Sequence, residues 1–333
     1  MKNRRVVIIG LLLVFAGALV LSGCGAGQDN SGSGSEKPVV KIGYLPITHS
    51  LPLVVADKLN QGKFENFDLE LVRFSSWPEL TDALNSGTIQ GGMTMFEIAM
   101  AGKEMGIPQE VVMLSHRNGD VLTVSDEIEK VQDLQGKLVA IPHRLSGHNL
   151  LLYKALKDAG LDYQDVRKVE MAPPDMPAAL ARGEINGYVV AEPFGAQTVV
   201  AGTGKVLMRA QDIWPDWICC GLVINPKYFN DQVVLQELVD KLASAGTYIE
   251  SNQDEAVEIA AEYMQIKKEL WSKSLEWISY ADLQPRQEDF AQMQSLLLEL
   301  PWDGQSNTLL KKEIDLSELI NEDYAKKAYG KVK

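Results

Sequence analysis

Apolar and polar positions alternate in short blocks over the first two thirds of the chain. Val39 to Leu45 reads as an apolar-rich strand, Leu51 to Leu59 as a helix, and Asp68 to Phe74 as an alternating strand. Pro78 to Asn85 forms a short helix stopped near Gly87, and Ile89 to Met93 returns to strand. The same order then recurs. Lys137 to Ile141 is a strand, His148 to Ala159 a helix closed by Gly160, and Val166 to Met171 a strand. Pro174 to Arg182 is the next helix, Ile185 to Val190 the third strand, and Phe194 to Ala201 a helix ending at Gly202. Further strands are expected at Val111–Leu114, Val121–Ser125, Val206–Met208 and Ile218–Asn225. Short strands alternating with helices predict mostly parallel sheets covered by helices. Beyond Pro226 the pattern becomes helical, at Val233–Glu250, Asp254–Met264, Lys268–Glu276 and Gln287–Leu298.

The recurrence is also literal. ALNSGTIQGGM from Ala83 returns as ALARGEINGYV from Ala179, 96 residues on. At the same offset KIGYLP (Lys41–Pro46) becomes KLVAIP (Lys137–Pro142), and Pro78-Glu79 becomes Pro174-Asp175. One unit used twice implies two similar α/β lobes, 38–125 with 226–333 in one and 126–222 in the other. Crossings near Ser125 and Leu222 would serve as hinges. Ligands of open α/β sheets bind beyond the C-terminal ends of the strands. Met93-Thr94-Met95 and Val189-Val190-Ala191 are therefore expected at the cleft, one set from each lobe.

The start of the chain has another character. MKNRR, the apolar run Val6–Leu21 and Ser22-Gly23-Cys24 describe an export signal over 1–23. Its ending LSGC resembles the bacterial lipobox, which implies lipidation of Cys24 and an extracytoplasmic protein anchored to the cell membrane. Residues 24–37, rich in Gly and Ser, read as a flexible tether. The net charge of −13 becomes about −16 once Lys2, Arg4 and Arg5 leave, which disfavours nucleic acid as a partner. Cys219 and Cys220, adjacent in an apolar strand, read as buried thiols rather than a disulfide.

Three segments, in this order and spacing, carry a family resemblance: IGYLPITHSLPLVVADKLNQGKF, SSWPELTDALNSGTIQGGMTM and VVAEPFGA. The chain resembles the solute-binding proteins of ABC importers, most closely the nitrate/sulfonate/taurine/bicarbonate group. That resemblance implies a periplasmic-binding-protein-like fold of type II, with two Rossmann-like lobes joined by two crossover strands. It also implies a monomer that closes on a small solute and delivers it to a permease and its ATPase, with no cofactor and no catalysis. The alternatives are a surface sensor that binds without transport and an enzyme on the same two-lobed fold.

Several candidate contacts have a bland reading beside them. Thr48 and His49 precede a helix near Leu51, where hydroxyls and free N–H groups hold polar ligands or merely cap. Ser146, Gly147 and His148 stand at the matching helix start of the second lobe, with Arg144 nearby and more simply exposed. Trp77 is either an aromatic wall or core, and Thr94 and Phe96 bound the pocket by family position. Glu192 accepts from a ligand or caps the helix after Pro193. The histidines are scattered and no Cys/His spacing repeats, so no metal site is expected. No phosphate loop, GxSxG or HExxH pattern occurs.

Overall fold

Strand β1 (Val39–Tyr44) is apolar on alternate positions and buried over its last three residues, so it forms inside a sheet and not at its margin. The computed structural model describes residues 37–301 and 308–331. The expected signal 1–23, the lipidation site Cys24 and the tether 24–37, Lys37 excepted, lie outside the described residues. The remaining strands are β2 (Asp68–Arg73), β3 (Gly91–Met95), β4 (Glu110–Leu114), β5 (Arg117–Asn118), β6 (Asp120–Val124) and β7 (Leu138–Ile141). They continue with β8 (Arg167–Glu170), β9 (Gly187–Ala191), β10 (Lys205–Arg209), β11 (Cys220–Ile224) and β12 (Ile278–Ser279).

Two five-stranded sheets result, ordered β2-β1-β3-β11-β4 and β8-β7-β9-β6-β10. β1 runs parallel to β2 and β3, and β7 parallel to β8 and β9. In each sheet the fourth strand is antiparallel to the third: β11 against β3, and β6 against β9. The repeat read from the sequence is thus present strand for strand, and the fold is the two-lobed α/β class expected. The short helix of each repeat, Trp77–Ser86 and Met176–Ala181, leads into a turn whose glycine adopts positive φ, +80° at Gly87 and +71° at Gly183. At Gly87 a Cβ would also stand 2.7 Å from the Tyr228 ring, so the residue is fixed by both conformation and space.

Two expectations need correction. The sheets divide earlier than at 125 and 222, because β6 lies in the second sheet and β11 in the first. These antiparallel strands insert beside the third strand of the sheet they enter, which pulls Asp120–Val124 out of the 38–125 body and Cys220–Ile224 into it. A helix at Phe96–Glu104 follows β3 and was not expected. Phe96 to Gly102 are all buried, so it has no polar face over those turns and shows no amphipathic period.

Of the helices after Pro226 (Gln232–Ser251, Gln253–Met264, Lys268–Leu275, Gln287–Glu299 and Asp323–Lys331), Asp323–Lys331 packs on β4 of the first sheet, and Lys268–Leu275 reaches Phe194–Ala201 of the second half. Gln232–Ser251 packs on Leu51–Asn60 and on Asp323–Lys331. β12 pairs with β5, which carries this C-terminal region to the crossing between the sheets. Among the described residues no helix is long and apolar enough to cross a membrane.

Candidate ligand site

The crossing strands start where the ends of the parallel strands point. Cys220 stands opposite Met95 at the end of β3, and Asp120 opposite Ala191 at the end of β9. Around these two positions the fold gathers His49 from the turn after β1, His116 from the turn after β4, and His148 from the helix Gly147–Asp158. Glu97 follows β3, Glu192 follows β9, and Cys219 precedes β11. All of these side chains are buried.

Asp120 is the hub. Its Oδ1 lies 3.2 Å from His49 Nε2 and 2.9 Å from His148 Nε2, and its Oδ2 accepts from the Trp217 indole N–H at 2.7 Å. The two imidazole contacts are short but off the hydrogen-bond line. Burial opposes ionisation of Asp120, but His148 and His49 outweigh it and hold the carboxyl well below its ordinary range. His49 turns its other nitrogen, Nδ1, to Cys220 Sγ at 3.4 Å. Burial pulls the His49 pKa down, yet Asp120 and Cys220 together lift it to about 10.

His116 stacks on His49 with ring centroids 3.5 Å apart. Its Nδ1 is 2.7 Å from the Asn118 carbonyl, which can only accept, so Nδ1 carries the proton and Nε2 the free lone pair. Burial and the neighbouring His49 push its pKa down, which keeps the ring neutral. The Sγ atoms of Cys219 and Cys220 are 3.6 Å apart, so both are free thiols, as read from the sequence. Burial raises Cys219 well above the usual thiol range. At Cys220 the hydrogen bond from Cys219 and the two imidazoles overcome burial and lower the thiol well below it.

Two carboxylates complete the centre. Glu97 has no aligned partner for either oxygen, and burial raises its pKa well above the ordinary value, so it is held neutral. Glu192 is raised by burial to about 7, although the Ala196 N–H at 2.9 Å and the Ser274 hydroxyl at 3.1 Å both donate to Oε2. The two halves are tied beside it: the Thr48 N–H and hydroxyl both donate to the Glu192 carbonyl at 3.0 Å. Tyr280 donates to the Thr48 carbonyl at 2.8 Å.

The expected contacts therefore fall into three groups. His49, His148 and Glu192 enter the buried centre, with Thr48 latched beside them. Gly147 is there by exclusion, since a Cβ would lie 2.5 Å from Trp217 and 2.9 Å from Glu97. Thr94 is buried with an unpartnered hydroxyl, next to Met95 in the register with β11. Ser146 caps its helix by accepting from the Asn149 N–H, and Phe96 packs on Phe290. Trp77 is buried at the start of its own helix and shares none of these contacts. Arg144 is exposed. His116, Asp120, Cys219 and Cys220 were not expected in the site, and the scatter of histidines that argued against a metal disappears on folding. Four donor atoms, from His49, His116, Cys219 and Cys220, lie within 4.8 Å of one another.

At the rim, a cavity of about 350 Å³ opens between the halves. Pro46, Ile47 and Phe74 line it from one side and Pro173, Pro174 and Phe194 from the other. Among the described residues the centre holds no lysine or arginine contact. Arg117, the nearest in sequence, is turned away to the carbonyls of Asp216, Asp282 and Gln284 and to the Asp289 carboxylate.

Comparison with known proteins gives the following. Residues 33–265 match the NMT1-like family. The ligand-binding component of an ABC-type import system from Staphylococcus aureus, solved with zinc bound, is 32% identical with a TM-score of 0.79. That similarity covers 88% of this chain and 99% of the other. The periplasmic aliphatic sulphonate binding protein SsuA from Escherichia coli shares the fold at 21% identity and a TM-score of 0.64, over 78% of this chain and 90% of that one. The nitrate import ATP-binding protein NrtC of Synechocystis is 30% identical over 236 residues, 64% of this chain. This chain spans only 33% of that protein's length.

Proposed function

Because the chain belongs to the NMT1-like family, we propose that it is the solute-binding subunit of an ABC importer, acting outside the cytoplasm. The observation that carries this reading is the buried polar centre, built from equivalent strand ends of two like sheets. Side chains of both halves meet in it, His49 against Asp120, and all are buried, which supports a closed arrangement of the halves. The staphylococcal relative is a component of an import system, and SsuA is named as a periplasmic binding protein, which supports the same role here.

In this reading 38–125 with 226–333, and 126–222, act as the two lobes, with the sheet division adjusted as described. The solute enters past the rim cavity and meets His49, His148 and Glu192, and the Thr48–Glu192 contact latches the closed form. The centre is fully buried, and we read it as suited to capture and not to bond-making. Lipidation of Cys24 would hold the protein at the membrane beside its permease and ATPase.

A thermal-shift screen with nitrate, bicarbonate, taurine, alkyl sulfonates and zinc tests the reading. A captured solute raises the apparent melting temperature by mass action. One class of compound should do so, with a fall in the radius of gyration on closure. A folded protein that responds to none of them by either measure would overturn it.

A further inference from the structure

The chemistry of the centre is not that of an anion site. It offers two thiols, imidazoles and carboxylates, and among the described residues no lysine or arginine points into it. From this we infer that the solute is a divalent transition-metal cation, held by His49, His116, Cys219 and Cys220. The inference deepens the solute-binding reading and rests on it.

Geometry carries it. A tetrahedral zinc with sulfur at about 2.3 Å and nitrogen at about 2.05 Å sets two sulfurs about 3.8 Å apart, and a sulfur and a nitrogen about 3.6 Å apart. The thiol pair here stands at 3.6 Å, and Cys220 Sγ to His49 Nδ1 at 3.4 Å. Two edges of such a tetrahedron thus already have its dimensions, and all four donors lie within 4.8 Å of one another. The fourth corner, His116 Nε2, is a buried lone pair with no partner, because its ring gives its proton to the Asn118 carbonyl. That arrangement fixes the tautomer a metal requires. His49 is oriented in the same manner, its Nε2 toward Asp120 while Nδ1 faces the thiols.

Asp120 and His148 could form a second set with Cys219. Asp120 is already committed to two imidazoles and the Trp217 indole, so it acts as a positioning residue. Three of the four metal-facing residues lie on the crossings between the sheets and the fourth on the first sheet's loop, whereas Asp120 and His148 belong to the second half. The metal would therefore be caught on one side and covered from the other. On binding, both sulfurs coordinate as thiolates and both imidazoles through a free lone pair, so any proton on those four donor atoms, His49 Nδ1 included, leaves to solvent.

The test uses the full chain, purified reduced and without a histidine tag, stripped of metal with a chelator, and titrated with zinc chloride and cobalt chloride. One zinc per chain is expected. The cobalt adduct should show thiolate-to-metal charge transfer in the near ultraviolet and the visible bands of a tetrahedral ion. Cys219→Ser with Cys220→Ser should abolish the charge-transfer band. His116→Gln should weaken zinc binding at least tenfold, and Asp120→Asn about ten- to a hundredfold. His143→Gln, outside the centre, should leave it unchanged. The cobalt spectrum of the unsubstituted chain stands even if a variant does not fold. A folded chain that takes up no zinc, a cobalt adduct without the thiolate band, or equal zinc affinity in the folded variants would overturn the inference. If the metal-free chain is instead stabilised by nitrate, taurine or an alkyl sulfonate and not by zinc, the metal fails while the solute-binding reading stands. Stabilisation by none of these overturns both.

Discussion

The two halves bring matching positions to the centre and fill them with different chemistry. Opposite the end of the third parallel strand, the first sheet has a thiol, Cys220 against Met95, and the second a carboxylate, Asp120 against Ala191. Just past that strand each half buries a glutamate, Glu97 in one and Glu192 in the other. Glu97 is unpartnered, whereas Glu192 accepts from Ala196 and from Ser274 of a helix beyond the repeat. Duplicated topology therefore fixes where side chains arrive. What they do is set by neighbours that the repeat does not supply.

Asp120→Ala tests the carboxylate half most severely. It strips the partner from two buried imidazoles and an indole, and a broken buried charge pair costs about 3–5 kcal/mol. Urea unfolding should show that loss, and a loss below about 1 kcal/mol would mean that Asp120 is not the hub. The glutamates come next. Glu192 has a folded pKa of about 7 against an ordinary 4.5, so the folded chain keeps a proton that the unfolded chain has released. Its contribution is fully present below about 4.5 and declines as pH climbs to about 7, by on the order of 3 kcal/mol. Glu192→Gln should flatten the stability profile in that window. Glu97 is raised well above the same ordinary 4.5, so the same linkage applies and Glu97→Gln should likewise flatten the profile above about 4.5. A profile left unchanged by Glu97→Gln would mean that Glu97 is ionised in the folded chain.

Smaller substitutions sharpen the boundary between them. Gly147→Ala drives a methyl against Trp217 and Glu97, which should cost about 1–3 kcal/mol and broaden the thermal transition. Thr48→Val removes the hydroxyl bond to Glu192 but keeps the amide bond, and should cost about 1 kcal/mol. If the latch matters to closure, solute should dissociate faster from that variant in stopped-flow measurements. An unchanged rate would reduce Thr48 to a local structural contact.

The 96-residue offset made most of the fold legible, since β1, β2 and β3 recur as β7, β8 and β9 with the helices between them. It also pointed to His49, His148 and Glu192, which lie in or beside repeated segments. It could not point to Asp120, His116, Cys219 or Cys220. These sit between the repeats or after them, and the thiols reach His49 only by pairing across a separation of 171 residues. Local patterning carries no trace of such a meeting. Ser146 and Phe96 were expected to touch a ligand, and capping and aromatic packing account for the contacts they make.

The exchanged strands have a consequence for the order in which a chain emerging from the ribosome can fold. The second sheet draws all its strands from 120 to 209 and is complete once β10 appears. The first sheet begins earlier, but β3 and β4 lack the partner between them until Cys220–Ile224 is made. The half that starts first thus finishes last, holding unpaired strand edges for more than a hundred residues of synthesis, roughly ten seconds at typical rates. The strand that finally closes it is also the one that delivers the thiols. Completion of the sheet and assembly of the centre are one event in the life of the nascent chain.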